Sequence, residues 1–237
     1  MEDQDNNSRP LIEKTAERLI QYIMNQDLKK GDKLPNEREL GGLLEVGRGT
    51  LREALRILTS HNILEVRHGA GIFISDKNGV PDDPLGLTFI KDKRKLMDDL
   101  LDFRIWIEPR VAALAAQHAT EKDIEELEQL CNAVDECILA GKSHIQKDAE
   151  FHGKIAECSR NLIMPNLLPI LHSAINLFVK ETGGTLPAET MKTHHAILNA
   201  IKEKDATAAY DGMFLHLIYN RDRLRERLMI SKIEQEK

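Results

Sequence analysis

Two groups of side chains in this 237-residue sequence have the types and spacing to do chemistry. Asp148 and His152 stand four residues apart in KDAEFH, which puts both on one face of a helix. His194 in THHAIL and His216 in FLHL follow on later segments. One carboxylate and three imidazoles form an N/O donor set for a divalent metal, zinc first, with nickel or manganese as alternatives, and leave room for an exogenous ligand. Singly, each histidine reads as an ordinary surface or hydrogen-bonded residue. Only a fold that gathers them makes a metal site.

The second group lies in GRGTLRE. Arg48 opens a helical stretch, Thr50 follows, and Arg52 falls four residues after Arg48 on the same face. Arginine pairs bidentately with guanine, and threonine bonds a phosphate or touches a thymine methyl. Arg38, on the preceding helix, is placed for a phosphate. His68 and Gly69 sit at a glycine turn, where a short donor on a flat backbone can enter a minor groove.

These residues need elements to position them. Residues 11–26 have a helical apolar period, and so do 36–44 and the stretch TLREALRILTSHN. Gly31 and Asp32 supply a turn, Pro35 suits the first turn of the second helix, and Gly47 and Gly49 mark a break. ILEVRHGAGIFIS reads as two β-branched strands about a glycine turn. Three helices and a hairpin in that order describe a winged helix-turn-helix, assigned to residues 1–75. Residues 76–95 read as a linker with a short helix near Leu85–Phe89. From residue 96 to 237 an all-α bundle is expected, with helices near 96–118, 121–140, 145–158, 163–181, 187–203 and 206–231. Ala140-Gly141, Ser159-Arg160-Asn161 and Gly183-Gly184 separate some of them, Pro165 and Pro169 sit close to a helix start, and Pro109 is placed to kink its helix.

Composition narrows the classes. The chain is 41% hydrophobic and 30% charged, the balance of a globular protein. No apolar run approaches the roughly 18–20 residues of a bilayer crossing. The start, MEDQDNNSRP, lacks a secretory pattern, so the expected location is the cytoplasm. Cys131, Cys137 and Cys158 have no CxxC spacing, which argues against disulfides or a cysteine zinc site and for small buried hydrophobes. A net charge of −6 alone argues against nucleic acid, yet residues 28–75 hold eight basic residues against six acidic ones.

The segment PNERELGGLLEVGRGTLREALRILTSHNILEVRHGAGIFI resembles the winged-helix domain of the GntR family of bacterial transcription regulators. In that family P-S-E-R-E-L, V-x-R-x-x-V/L-R-E-A-L and a G-x-G-T/I-F-V wing recur in this order. The resemblance covers about residues 11–75 and implies that Arg38, Arg48, Thr50, Arg52, His68 and Gly69 contact an operator. Asn36 replaces the usual serine and still caps a helix. Gly47 and Gly49 replace hydroxyl residues or proline, which leaves some phosphate contacts to backbone N–H groups.

Residues 96–230 resemble the FCD ligand-binding domain of the FadR branch of that family, in LLDFRIWIEPRVAALAAQHAT, D-x-x-F-H, H-x-x-I-L-x-A-I and a histidine 22 residues on. The resemblance implies that Asp148, His152, His194 and His216 are metal ligands, with His172 and His195 as runners-up. It also implies an inward-facing arginine, Arg104, that pairs with an effector carboxylate. Asn220, one turn beyond His216, is assigned to the same cavity. Glu150 is read as facing away, so no general base is in evidence.

The function implied is a metabolite-responsive, homodimeric transcription repressor of double-stranded operator DNA, with a hydroxy or sugar acid as its effector and no enzymatic activity. Two alternatives belong to other classes: a metal-dependent hydrolase carrying a DNA-binding domain, and an architectural DNA-binding protein with a structural metal.

Overall fold

The computed structural model describes residues 10–235 except 78, 82 and 183–186, and within helices the side chains of 176–182, 187 and 227–235 are also outside the description. The expected break at Gly183-Gly184 therefore lies outside the described residues. The chain divides into two compact units, Met1–Thr88 and Phe89–Lys237.

The first unit contains α1 (Leu11–Asn25), α2 (Glu37–Leu43), α3 (Arg48–Ser60), β1 (Leu64–Arg67) and β2 (Gly71–Ile74). Leu19, Leu40, Leu51, Leu58 and Leu64 are its most deeply buried large side chains, and in α3 Leu51, Leu55 and Leu58 recur at helical spacing because the helix turns one stripe inward. Asn36 caps α2 in a capping box with Glu39, so its replacement of serine preserves the helix start. Pro35 stands one residue before that cap rather than in the first turn. Gly47 caps α3 and Gly49 lies inside its first turn, so only Gly47 marks the break. β1 and β2 pair antiparallel, Leu64 with Ile74 and Arg67 with Gly71. The turn between them places Gly69 at φ +72°, a conformation that favours glycine.

No helix forms at Leu85–Phe89, where one is expected. Gly86 takes φ +65°, and both Asp83 carboxylate oxygens accept from backbone, Leu87 N at 2.7 Å and Thr88 N at 3.0 Å. Phe89 is 91% exposed and Leu85 is exposed too, so these two side chains give a helical turn no packing to stabilise it.

The second unit contains α4 (Lys93–His118), α5 (Glu121–Leu139), α6 (Ile145–Cys158), α7 (Met164–Thr182), α8 (Pro187–Lys202) and α9 (Ala206–Gln235). α4 starts inside the span 76–95 read as a linker, with Asp92 accepting from Lys95 N at 2.9 Å. It continues through Pro109 to His118 as a single helix. Pro165 falls in the first turn of α7, while Pro169 lies further inside it. α5 starts on a Thr120–Asp123 capping box and stops at Gly141, φ +65°, where Gly141 N and Lys142 N return to the carbonyls of Ile138 and Cys137. α4 packs along α9 and also against α6, α7 and α8, α8 packs on α5 and α9, and α6 packs on α5 and α7. This places the inward faces of α4, α6, α8 and α9 around one interior. Among the described residues no helix is long and apolar enough to cross a membrane.

Candidate metal centre and DNA-reading surface

α6 supplies Asp148 and His152, α8 supplies His194 and α9 supplies His216. One ligand atom from each lies within 4.8 Å of the other three. The three histidines are buried, and the Asp148 side chain is 19% exposed. Phe151 stacks on His194 at 4.4 Å between ring centroids, and the His194 ring stands edge-on to that of His152 and tilted to that of His216.

Hydrogen bonds set the tautomers. His152 Nδ1 lies 2.7 Å from Glu108 Oε2, an acceptor when ionised, so Nδ1 carries a proton, and in the neutral ring Nε2 keeps the lone pair. The single hydroxyl hydrogen of Thr193 goes to the Glu189 carbonyl at 2.7 Å. Thr193 Oγ1 is then an acceptor for His216 Nδ1 at 2.9 Å, which leaves His216 Nε2 unprotonated too. The two Nε2 atoms face one another at 3.2 Å. Two imidazole nitrogens on a shared cation, each about 2.1 Å from it, stand about 3.0–3.4 Å apart at tetrahedral or octahedral angles. His194 Nε2 lies 3.3 Å from Asp148 Oδ1, and neither ring nitrogen of His194 makes a well-formed hydrogen bond. Facing lone pairs and an orphaned buried imidazole fit a divalent cation.

The charge states agree. Burial would raise the Asp148 carboxyl, but His194, His152 and His216 outweigh it and hold it well below the usual carboxylate range. Burial depresses His194 and, more strongly, His216. An ionised carboxylate with neutral imidazoles is the state in which each residue offers a lone pair.

Two contributors were not singled out from sequence. Glu108 is wholly buried and ties three residues together: it pairs with Arg104 through Nε and Nη2, accepts from His152, and has His172 Nε2 at 3.3 Å from Oε1. Burial opposes its ionisation, and Arg104, His152 and His172 more than offset that. The i, i+4 spacing of Arg104 and Glu108 was a usable signal. Thr193 had none beyond its place beside His194.

Arg104 is buried as expected, but its guanidinium already holds a carboxylate, that of Glu108. Asn220 donates from Nδ2 to His216 Nε2 at 2.9 Å, which puts its amide at the ligand cluster. His172 belongs with Glu108 and His152 in an adjoining group, its imidazole pulled down to about 4 by burial and by Arg104. His195 joins Cys131 and Asp135 elsewhere. Glu150 pairs with Lys147 at 2.6 Å, away from the cluster.

In the first unit, Arg38 and Arg48 are exposed and make no ion pair with the described residues. Arg48 is the first residue of α3, Thr50 is half-buried, and Arg52 is exposed but bound through Nε to Glu37 Oε2 at 2.8 Å. His68 and Gly69 are exposed at the wing tip. Beside them Arg67 lies over the Phe73 ring at 4.3 Å and pairs with Glu65, a wing cation not singled out from sequence.

Comparison with known proteins assigns both units. Residues 11–74 match the model described as bacterial regulatory proteins, gntR family, and residues 99–218 match the FCD domain. A solved Streptococcus agalactiae GntR structure is 40% identical, with a TM-score of 0.81, covering 89% of this chain and 99% of that one. An Escherichia coli protein named as a regulator of the L-lactate dehydrogenase operon is 34% identical over 226 residues, 89% of this chain and 85% of its own length. A Cronobacter sakazakii protein, named the transcriptional repressor NanR, is 25% identical over 229 residues, 88% of this chain and 83% of its own. With the winged helix, the helical FCD unit and these relatives in agreement, the chain belongs to the gntR family of DNA-binding bacterial transcriptional regulators and carries an FCD domain.

Proposed function

We propose that this regulator is a homodimeric repressor whose operator affinity is set by a small hydroxy or sugar acid bound at a divalent cation in the FCD unit. The observation that carries this reading is the approach of His152 Nε2 to His216 Nε2 at 3.2 Å with both Nδ1 atoms committed as donors. Asp148, His152, His194 and His216 hold the cation, zinc in the first place. When bound, the cation supplies a Lewis-acidic position for a carboxylate oxygen. Asn220, freed from His216 Nε2, donates to the same acid. Arg104 takes its carboxylate by exchanging Glu108 for it. The names of the E. coli and C. sakazakii relatives support a hydroxy acid and repression respectively.

In the DNA-binding unit, Arg48 and Arg52 read base edges, Thr50 and Arg38 hold phosphates, and His68 with Gly69 enters the minor groove. A homodimer presents two such helices to a palindromic operator. The acid changes operator affinity through its differential affinity for two dimer arrangements.

The test is thermal unfolding of zinc-loaded and chelated protein with L-lactate and a panel of sugar acids. A bound acid at 100 times its Kd stabilises by about 2.7 kcal/mol. That shift is expected in zinc-loaded protein and lost in chelated protein and in Asp148→Ala. Zinc that stabilises the fold while no acid adds to it would overturn the effector reading.

A further inference from the structure

α5 and α8 bring together a second set of donors, separate from the four above: Cys131, Asp135 and His195, with one ligand atom from each within 4.8 Å of the other two. Cys131 and Asp135 stand one helical turn apart on α5, so thiol and carboxylate share a face. His195 comes from α8. Cys131 is completely buried and forms the floor, while the His195 side chain, 45% exposed, forms the open rim. Asp135 Oδ2 accepts from His195 Nε2 at 2.6 Å, and its other oxygen, Oδ1, is buried with no hydrogen-bond partner. A buried carboxylate oxygen without a donor is costly, and a cation would satisfy it.

From this juxtaposition we propose a second cation centre, a three-residue thiolate–carboxylate–imidazole site for a thiophilic divalent metal of the zinc, cobalt or nickel class. The donor set favours those ions over magnesium or calcium, which take oxygen ligands. Cysteine spacing along the chain argues against a site made of cysteines alone. It does not reach a site in which one thiol is completed by other residue types from a different helix. A cation here clamps α5 to α8, and α8 also carries His194 for the first centre, with His194 and His195 adjacent on it.

Sulfur separates the two centres experimentally. Metal-stripped full-length protein is titrated with cobalt(II) and followed by absorption. Only a cysteine-containing site yields a near-ultraviolet thiolate-to-cobalt charge-transfer band, since the Asp148 centre has no sulfur. The band is expected in the unaltered chain, in Asp148→Ala, in Cys137→Ser and in Cys158→Ser, and is expected to vanish in Cys131→Ser. His195→Gln, at a part-exposed position, should fold normally and need at least tenfold more cobalt(II) to develop the band. No charge-transfer band at saturating cobalt(II), a band that survives Cys131→Ser, or unchanged cobalt(II) dependence in His195→Gln would overturn the proposal. Each leaves the first centre to be judged by its own ligand-field absorption.

Discussion

His152 and His216, 64 residues apart in sequence, face each other Nε2 to Nε2 at 3.2 Å because Glu108 and Thr193 each occupy the opposite ring nitrogen. The donor geometry of the centre thus depends on two residues that are not donors to it. Groups that orient metal-binding imidazoles typically contribute 10–100-fold to metal affinity.

Thr193→Val is therefore expected to weaken zinc binding by about 10–100-fold. The shape is kept, but the acceptor for His216 Nδ1 is gone. Competition against a chromophoric chelator measures this, and unchanged affinity would mean that Thr193 does not set the tautomer.

Glu108→Ala leaves the Arg104 guanidinium buried and unpaired. Breaking a buried pair from one side costs about 3–5 kcal/mol, whereas replacing both charges with apolar groups of similar size is often near neutral. Urea denaturation should show a large loss for Glu108→Ala and substantial recovery in Arg104→Met/Glu108→Met. A double variant as unstable as the single one would show that the pair's worth lies in something besides charge compensation.

Acid should loosen the second unit through Asp123. Burial alone would raise this carboxyl, but Thr120 backbone N–H and hydroxyl and Lys154 Nζ, at 2.9, 2.7 and 3.0 Å, drive it far below its ordinary value. Its folded-state pKa lies below the unfolded one, about 3.9, so its contribution is complete above that pH and drains away as pH falls further. Asp123→Asn should lower stability at pH 7 by about 1–2 kcal/mol, in the range of a lost helix cap. It should also flatten the acid limb of stability against pH, followed by circular dichroism between pH 2 and 7. An acid limb of unchanged slope would assign it to other carboxylates.

On the DNA surface, Arg48 and Arg52 should behave differently despite sharing a helical face. Arg48 makes no ion pair with the described residues, while Arg52 is held by Glu37 at 2.8 Å. Arg48→Ala is expected to cost about 1–3 kcal/mol of operator affinity, the worth of a bidentate base contact. Glu37→Gln should release Arg52 and raise affinity a few-fold at low salt, an effect that shrinks as salt screens it. Fluorescence anisotropy with an operator duplex at two salt concentrations reads both. Glu37→Gln with no gain would mean that the ion pair does not restrain Arg52.

What was legible in the sequence is what short-range physics controls. The ends of α5 and α6 follow from apolar period and from Gly141 and Arg160, whose turn chemistry acts within four residues. The winged order and the i, i+4 pair Asp148–His152 are local in the same sense. Leu85–Phe89 misled because its apolar residues imply burial, and Leu85 and Phe89 stay exposed. The family resemblance already put His194 ahead of its neighbour His195; tertiary structure decided that Cys131 and Asp135 meet His195 instead. It also decided that Arg104 is already neutralised by Glu108. Those outcomes depend on the rotation of each helix about its axis, which the packing of α4, α5, α6, α8 and α9 settles collectively and no single segment encodes.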